Sequence, residues 1–342
     1  MISVAGMLDK GQEIVFMRRA LMLAARSCGH TRPNPPVGAV VAVGGGIAGE
    51  GRHVRCGSDH AEVAALKSLK LRDAAKGSTV YVTLEPCSKA GRVGACCDAL
   101  IAAGVGKVVW AVPDPNPENA GRAAKILHGA GIATECWSRS RDARKRDCAD
   151  EAARLVAPFA KHVTTGLPYV TVKLAMSLDG KICDDCGDAR WVSSEGARKR
   201  TGRLRERVDA IMVGAETVRK DDPGLLSHGK RNDDLFRVVV SASGRLPRKA
   251  RIFTDGAKDR TIVCRPDGRG MRGVMEDLGE KGFLHVLCEG GFKLARSLAK
   301  EGLVDEWIAV LAPKVIGDGR IGDASVVPSV SALCDFENVK LL

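Results

Sequence analysis

The sequence predicts an α/β protein of two domains, on three observations. Short apolar strands alternate with amphipathic helices along the chain, which is typical of layered α/β folds. The length of 342 residues is enough for two domains of ordinary size. A charged stretch and helix over about 138–166 lead to Gly166-Leu167-Pro168. We therefore predict domains at residues 1–166 and 167–342.

The first half alternates strands and helices in a regular order. Gly44-x-Gly46-x-x-Gly49 has the spacing of a dinucleotide fingerprint, but it lies between two strands, so we interpret it as a hairpin. The charged residues of 138–150 are interpreted as a solvated helix face or linker rather than a binding patch. Strands are predicted at 39–43, after 46, at 79–83 and at 107–112, and helices at 13–28, 61–66, 98–103, 120–129 and up to about 161.

The second half begins with a new strand at 169–175. Gly290-Gly291 falls between a strand and a helix, which suits either a bound phosphate or a plain tight turn. Cys183-x-x-Cys186 and Gly317-x-Gly319-x-x-Gly322 are interpreted as loops. Further strands are predicted at 210–214, 237–240, 261–264 and 284–287, and helices at 197–207 and 292–300.

Composition excludes several classes of protein. No apolar run reaches the roughly 18 residues of a membrane span, and the N-terminus lacks the pattern of a signal peptide. Twelve cysteines are scattered without a disulfide framework, which favours a reduced, cytoplasmic protein. The net charge of +12 indicates anionic partners, but charge alone does not choose between nucleic acid and phosphorylated small molecules.

His60-Ala61-Glu62, Pro86-Cys87 and Cys96 predict a zinc site. One imidazole and two thiolates leave the fourth tetrahedral position open for water, whose pKa zinc lowers to about 7. Glu62 is placed to shuttle a proton without being a ligand. His-x-Glu followed by Pro-Cys is the signature of zinc nucleobase deaminases, although here eight residues separate the cysteines. Cys97 remains an alternative third ligand. Neither the His-x-Glu motif nor the Pro-Cys motif alone would indicate a metal site.

Motifs in both halves give a resemblance to one family. The chain resembles the bifunctional riboflavin-biosynthesis enzymes that join diaminohydroxyphosphoribosylaminopyrimidine deaminase to 5-amino-6-(5-phosphoribosylamino)uracil reductase. The eight-residue spacing of the two cysteines is the one this family uses. The resemblance covers nearly the whole chain and rests on residues 33–38, 49–53, 60–62, 83–96, 114–117, 174–180, 217–223, 289–291 and 302–306.

For the first half, the resemblance implies a cytidine-deaminase-like α/β/α layered domain. It implies one zinc ion held by His60, Cys87 and Cys96, and Glu62 as the catalytic residue that protonates the ring nitrogen and the leaving ammonia. Asn34 and His53 match substrate-binding positions. Lys89 stands where the family usually has a histidine.

For the second half, the resemblance implies a dihydrofolate-reductase-like α/β domain in which NADPH delivers hydride to the ribosyl side chain. It also implies a homo-oligomer formed through this domain. Ala189 and His228 depart from the usual serine and arginine. Cofactor-binding positions carry over to Ala175, Trp191, Thr217, Asp221, Gly291, Phe292, Lys293, Leu294 and Ala295, and substrate-binding positions to Lys173, Arg205, Leu225 and Glu289.

Two other hypotheses are weaker. A deaminase that acts on tRNA or single strands would explain the positive charge and the zinc motif, but it would leave residues 167–342 without a role. A scaffold with a structural zinc would need four protein ligands, and only three are evident unless Cys97 or a distant cysteine completes the set. We therefore predict a phosphorylated pyrimidine and NADPH as partners, and neither nucleic acid nor membrane.

Overall fold

The computed structural model describes residues 10–88, 94–183, 195–227, 234–313, 315–316, 320–321 and 339–341. The chain divides into two compact units between Thr165 and Gly166. Each unit has its own main sheet, and each is described here by itself. Within the described ranges, no helix has the length and apolarity that crossing a bilayer requires.

The first unit is a five-stranded sheet with the order β2-β1-β3-β4-β5. β1 is antiparallel to β2 and β3, whereas β3, β4 and β5 are parallel to one another. The strands are β1 (Gly38–Val43), β2 (Gly46–Arg52), β3 (Thr79–Leu84), β4 (Lys107–Val112) and β5 (Ala133–Cys136), and the helices are α1 (Lys10–Ala25), α2 (Ala61–Lys67), α3 (Cys96–Ala102), α4 (Arg122–Gly129) and α5 (Ala143–Thr165).

Alternation along the strands creates two cores in this unit. Val40 and Tyr81 belong to a cluster with α1 and α5, whereas Val41 and Val82 belong to a cluster with α2, α3 and α4. Successive side chains of a strand point to opposite faces, so a sheet with apolar residues at every position is covered on both sides. The α/β/α layering predicted for this half is confirmed.

Glycines in β2 allow α2 to lie directly on the sheet. A Cβ atom on Gly51 would lie 2.2 Å from the backbone nitrogen of Ala65 and 2.3 Å from the carbonyl oxygen of Ala61. No side chain can rotate away to relieve such a contact, because both neighbours are backbone. The close approach fixes the first turn of α2, which carries His60 at its N-cap and Glu62.

We expect Gly51→Ala to lower the free energy of unfolding of the first unit by about 1–3 kcal/mol, since overpacking forces the helix to shift. Urea denaturation of the full chain, with a probe of the first unit, measures the loss. Gly129→Ala is the matched control, because a Cβ there meets no atom within 4 Å. Equal stabilities of the two variants would contradict the close-approach argument.

The second unit contains a seven-stranded sheet with the order β10-β9-β8-β11-β6-β12-β14, in which every adjacent pair is parallel. A small antiparallel pair, β7 with β13, accompanies it. The strands are β6 (Tyr169–Ser177), β7 (Lys181–Cys183), β8 (Ala210–Gly214), β9 (Phe236–Val240), β10 (Thr261–Cys264), β11 (His285–Cys288), β12 (Glu306–Ala312), β13 (Arg320–Ile321) and β14 (Val339–Leu341), and the helices are α6 (Glu195–Arg205), α7 (Ala215–Asp221), α8 (Arg251–Thr254), α9 (Gly270–Glu280) and α10 (Phe292–Lys300).

Parallel strands place their carboxyl ends along one edge of this sheet, which is where open α/β sheets bind ligands. α7 follows β8 directly, and α10 follows β11 after a three-residue turn. Gly290 in that turn packs against Val213 and the backbone nitrogen of Gly214, whereas a Cβ on Gly291 would meet open space. The turn therefore has one glycine required by packing and one that faces outward.

Most predicted strands are found within a residue of their expected bounds, but several other expectations need correction. α1 begins at Lys10 and ends at Ala25, and α3 begins at Cys96 rather than at residue 98. α4 begins at Arg122 rather than at residue 120, and α6 is Glu195–Arg205 rather than 197–207. The charged segment does form the start of α5, but Lys145 is not solvated: it pairs with Glu13 and Glu135 at 2.8 and 2.7 Å. The predicted loops at 183–186 and 317–322 are described only in part: Cys183 ends β7 and Arg320–Ile321 form β13, so these positions are in strands. Residues 184–186, 317–319 and 322 lie outside the described residues.

Candidate active sites

Three metal-ligand side chains converge in the first unit. Nδ1 of His60 lies 3.2 Å from Sγ of Cys96 and 3.5 Å from Sγ of Cys87, and all three donor atoms lie within 4.8 Å of one another. His60 comes from the N-cap of α2, Cys87 from the loop after β3, and Cys96 from the start of α3. The sequence motif thus becomes one cluster of an imidazole and two sulfurs.

Hydrogen bonds hold Cys87 as a thiolate. Donation from Cys96 and from His60 lowers the pKa of Cys87 to about 4, although burial opposes the shift. The hydrogen bond to Cys87, together with burial, raises the pKa of Cys96. Because metals bind thiolates, loading this cluster must release a proton from the pair.

Glu62 lies beside this cluster in the first turn of α2. It is 3% exposed, and it interacts electrostatically with Cys87 and His60. Burial raises the pKa of this carboxyl to about 7. The residue is not one of the three donors of the cluster, and its role as a proton shuttle stays a prediction.

The two substrate-binding positions predicted for the first half are in contact. Nδ2 of Asn34 lies 3.1 Å from Nε2 of His53, and Nδ1 of His53 lies 3.0 Å from the carbonyl oxygen of Asp59. A carbonyl only accepts, so Nδ1 carries the proton and Nε2 accepts from Asn34. Burial lowers the pKa of His53. Its ring lies edge-on to the ring of His60, with the two ring centroids 5.2 Å apart. A neutral His53 therefore lies beside the metal cluster.

In the second unit, three of the predicted substrate residues come together. Arg205 donates to both carboxylate oxygens of Glu289, at 2.7 and 2.8 Å, and to the carbonyl oxygen of Leu226 at 3.0 Å. Strand register pairs Cys288 with Val172, which places Glu289 beside Lys173. Burial lowers the pKa of Lys173, and Glu289 opposes that shift.

Other predicted reductase positions lie near the carboxyl ends of the strands, but not all offer a side chain. Ala175 lies on β6, Thr217 and Asp221 lie on α7, and Gly291 is the N-cap of α10. The side chains of Leu225, Leu294 and Ala295 are buried in core clusters, so these side chains are not available to a ligand. Phe292 is half-buried and Lys293 is exposed. Trp191, Lys89, Ala189 and His228 lie outside the described residues.

Comparisons with known proteins cover both units. Residues 10–112 match the cytidine and deoxycytidylate deaminase zinc-binding region, and residues 168–326 match the RibD C-terminal domain. The riboflavin biosynthesis protein RibD of Escherichia coli is 37% identical over 361 residues, which cover 96% of this chain and 95% of that protein. The chain belongs to the RibD family.

Solved structures agree with that membership. RibD of Acinetobacter baumannii is 35% identical with a TM-score of 0.79, over 92% of this chain and 90% of that one. A diaminohydroxyphosphoribosylaminopyrimidine deaminase/5-amino-6-(5-phosphoribosylamino)uracil reductase of Thermotoga maritima is 31% identical with a TM-score of 0.83, over 94% and 92%. The RibD family joins a zinc-binding deaminase domain to a reductase domain, as the order of the two matches indicates.

The donor cluster fits zinc. With Zn–S near 2.3 Å and Zn–N near 2.0–2.1 Å, tetrahedral geometry places nitrogen and sulfur ligand atoms about 3.6 Å apart. The two Nδ1–Sγ distances of 3.2 and 3.5 Å are close to that value. Among the described residues, no fourth histidine, cysteine or acid joins the cluster. Such a set is typical of a catalytic zinc site with one open position.

Sequence reasoning missed the polar residues that support the loop of Cys87. The buried carboxylate of Glu85 accepts hydrogen bonds from the backbone nitrogens of Asp114, Gly121 and Ala123, at 3.1, 3.1 and 3.2 Å. It thereby caps the N-terminus of α4 and ties the loop after β4 to the end of β3. The only local signal was the position of Glu85 two residues before a ligand, since its partners lie 29, 36 and 38 residues further along the chain.

Proposed function

We infer that this chain catalyses two consecutive steps of riboflavin biosynthesis. The first is zinc-dependent hydrolytic deamination of diaminohydroxyphosphoribosylaminopyrimidine. The second is NADPH-dependent reduction of the ribosyl side chain of 5-amino-6-(5-phosphoribosylamino)uracil to the ribityl product. The observation that carries the proposal is the convergence of His60, Cys87 and Cys96 beside the buried Glu62, in a chain whose relatives join a deaminase to a reductase.

In the deamination, the protein residues hold the metal, move protons and orient the pyrimidine. Zinc supplies a Lewis acid that makes water nucleophilic at neutral pH. Glu62 takes one proton from the attacking water and passes it to the ring nitrogen. It then carries a second proton, from the added hydroxyl, to the departing amino group, which leaves as ammonia. Asn34 and His53 form one hydrogen-bonded pair beside the metal cluster, which suits a group that orients the substrate.

In the reduction, the residues at the strand ends bind and orient the substrate while NADPH supplies the hydride. Lys173 offers a half-buried ammonium, and Glu289 offers a carboxylate held by Arg205. Clamping by Arg205 leaves Glu289 in one orientation, because a bidentate pair with arginine is planar and directional. A phosphorylated, hydroxylated side chain can interact with both charges.

Lys173→Ala is expected to slow reduction about tenfold to hundredfold, because a hydrogen bond to a charged group contributes about 1.5–3 kcal/mol. Glu289→Gln should have a comparable effect without leaving Arg205 in an empty pocket. NADPH oxidation with the deaminated intermediate measures both, and ammonia release from the first substrate should not change. Lys300→Ala, an exposed lysine at the end of α10, is the control. Reduction by Lys173→Ala at the parental rate would contradict the assignment.

The test of the whole proposal is to supply the full chain with the phosphoribosylaminopyrimidine and NADPH, and to record ammonia release and NADPH loss separately. Ammonia should appear without NADPH, and NADPH should be consumed only after deamination. NADPH oxidation that precedes ammonia release would reverse the order of the two steps. The absence of both ammonia release and NADPH oxidation would refute the function.

The remaining partners follow from this proposal. The positive charge is assigned to phosphorylated substrate and cofactor rather than to nucleic acid, so tight binding of an oligonucleotide at about 0.15 M salt would contradict it. All nine cysteines whose side chains are described are free thiols, which suits the predicted cytoplasmic location. Association through the reductase unit remains a proposal that the mass of the chain in solution tests.

A further inference from the structure

The side chain of Asn119 joins the two backbone groups that flank Cys87. Its Oδ1 accepts from the backbone nitrogen of Ser88 at 2.7 Å and from the Ser88 hydroxyl at 2.6 Å. Its Nδ2 donates to the carbonyl oxygen of Pro86 at 3.3 Å and to Oδ2 of Asp114 at 2.9 Å. Two donors and two lone pairs are the full capacity of an amide, so every one is used.

The backbone around Cys87 is not part of a regular element. Residues 85–88 belong to neither helix nor strand. On the opposite side, the carbonyl oxygen of Cys87 accepts from the backbone nitrogen of Cys97 at 3.2 Å. Asn119 therefore holds one side of the ligand's backbone and the start of α3 holds the other.

Asn119 is itself fixed, so the support is rigid. Its backbone nitrogen donates to the carbonyl oxygen of Asn116 at 2.9 Å, and its side chain is buried, with the residue 7% exposed. Asp114, which accepts from the amide, also accepts from the backbone nitrogen of Asn116 and donates its own N–H to Glu85. A chain of hydrogen bonds thus runs from the end of β3 through this loop and back to Cys87.

We propose that Asn119 is a positioning residue for the metal ligand Cys87. It touches no donor atom of the cluster and acts by fixing the backbone on both sides of the ligand, so that the thiolate of Cys87 faces His60 and Cys96. The role rests on the proposed function, because it presupposes zinc at that cluster. Residues that orient a metal ligand without binding the metal themselves typically lower metal affinity about 10–100-fold when they are removed.

Two substitutions test the role. Asn119→Leu keeps the approximate volume and removes all four hydrogen bonds. Asn119→Asp keeps an acceptor for Ser88 but turns the donor into a second oxygen, which faces the carbonyl of Pro86 and the carboxylate of Asp114. In both variants the zinc affinity, measured by competition with a chelator, should be about 10–100-fold lower than in the parent chain. Both should also shift the thiolate-to-metal absorption band of the cobalt-substituted chain, while NADPH-dependent reduction by the second unit stays at the parental rate.

Two controls separate positioning from general stability. Glu118→Ala alters an exposed side chain in the same loop and should match the parent in every assay. Leu127→Ala opens the buried core under α4 and should lower the unfolding temperature, yet keep zinc at parental affinity while folded. If one Asn119 variant does not fold, the other decides.

The outcomes are distinct. Parental zinc affinity and an unchanged cobalt spectrum in the Asn119 variants would overturn the role of Asn119 and leave the proposed function standing. Equal zinc loss in Leu127→Ala, at equal loss of stability, would also overturn it. If the parent chain took up no zinc, the proposed function would fail, and the role of Asn119 with it.

Discussion

Replacing Glu62 with glutamine is expected to slow ammonia release about 10²–10⁴-fold, the range that a positioned acid-base group contributes. Glutamine has the shape of glutamate but cannot take up and return a proton. The effect should fall on catalysis alone, because Glu62 is not one of the three donors of the metal cluster. Zinc content per chain should therefore match the parent, and NADPH-dependent reduction of the deaminated intermediate should not change.

Stability gives this variant an independent check. Glu62 is 3% exposed, and burial of a carboxyl group without full compensation is unfavourable. The neutral amide of glutamine should therefore leave the unfolding temperature of the first unit equal or slightly higher. Glu118→Gln, at an exposed site in the same unit, is the matched control. Loss of zinc from the Glu62 variant would show that the carboxylate is a ligand, and full activity would exclude it as the proton shuttle.

The sequence was informative wherever structure depends on local pattern. β1, β3, β4 and β6 are apolar runs bounded by glycine or proline, and they occur where that pattern predicts them. α9 was not predicted. It contains Gly273 and Gly279, which lower helix propensity, and it is stabilised by packing of Met275 and Leu278 into the core of the second unit. Such a helix depends on tertiary contacts that no local window contains.

The same distinction applies to the sites. The motif around His60 and Cys87 was recognisable because ligand chemistry restricts residue type and spacing. The pairing of Arg205 with Glu289 was not, since 84 positions separate them and each alone suited a substrate contact. Asn119 gave no signal for the same reason: its partner Ser88 lies 31 positions away, and only the folded loop shows that its amide spans the ligand's backbone.

Exchange of Cys96 for serine is expected to remove zinc and with it all deamination, whereas Cys97→Ser should keep the metal. Successive residues in a helix point about 100° apart, so the two adjacent thiols at the start of α3 cannot both face the cluster. Sγ of Cys96 lies 3.2 Å from Nδ1 of His60, and the Cys96 backbone nitrogen donates to Sγ of Cys87. Metal content per chain after gel filtration distinguishes the variants.

Cys97→Ser should differ from Cys96→Ser by losing stability rather than zinc. Cys97 is fully buried in the cluster that contains Val80 and Leu100, and burial raises the pKa of its thiol to about 12. A serine hydroxyl there would lack a partner, which costs about 1–3 kcal/mol of stability by comparison with other proteins. Cys97→Ser should therefore unfold at a lower temperature and still release ammonia when folded. If Cys97→Ser lost zinc and Cys96→Ser retained it, the third ligand would be Cys97.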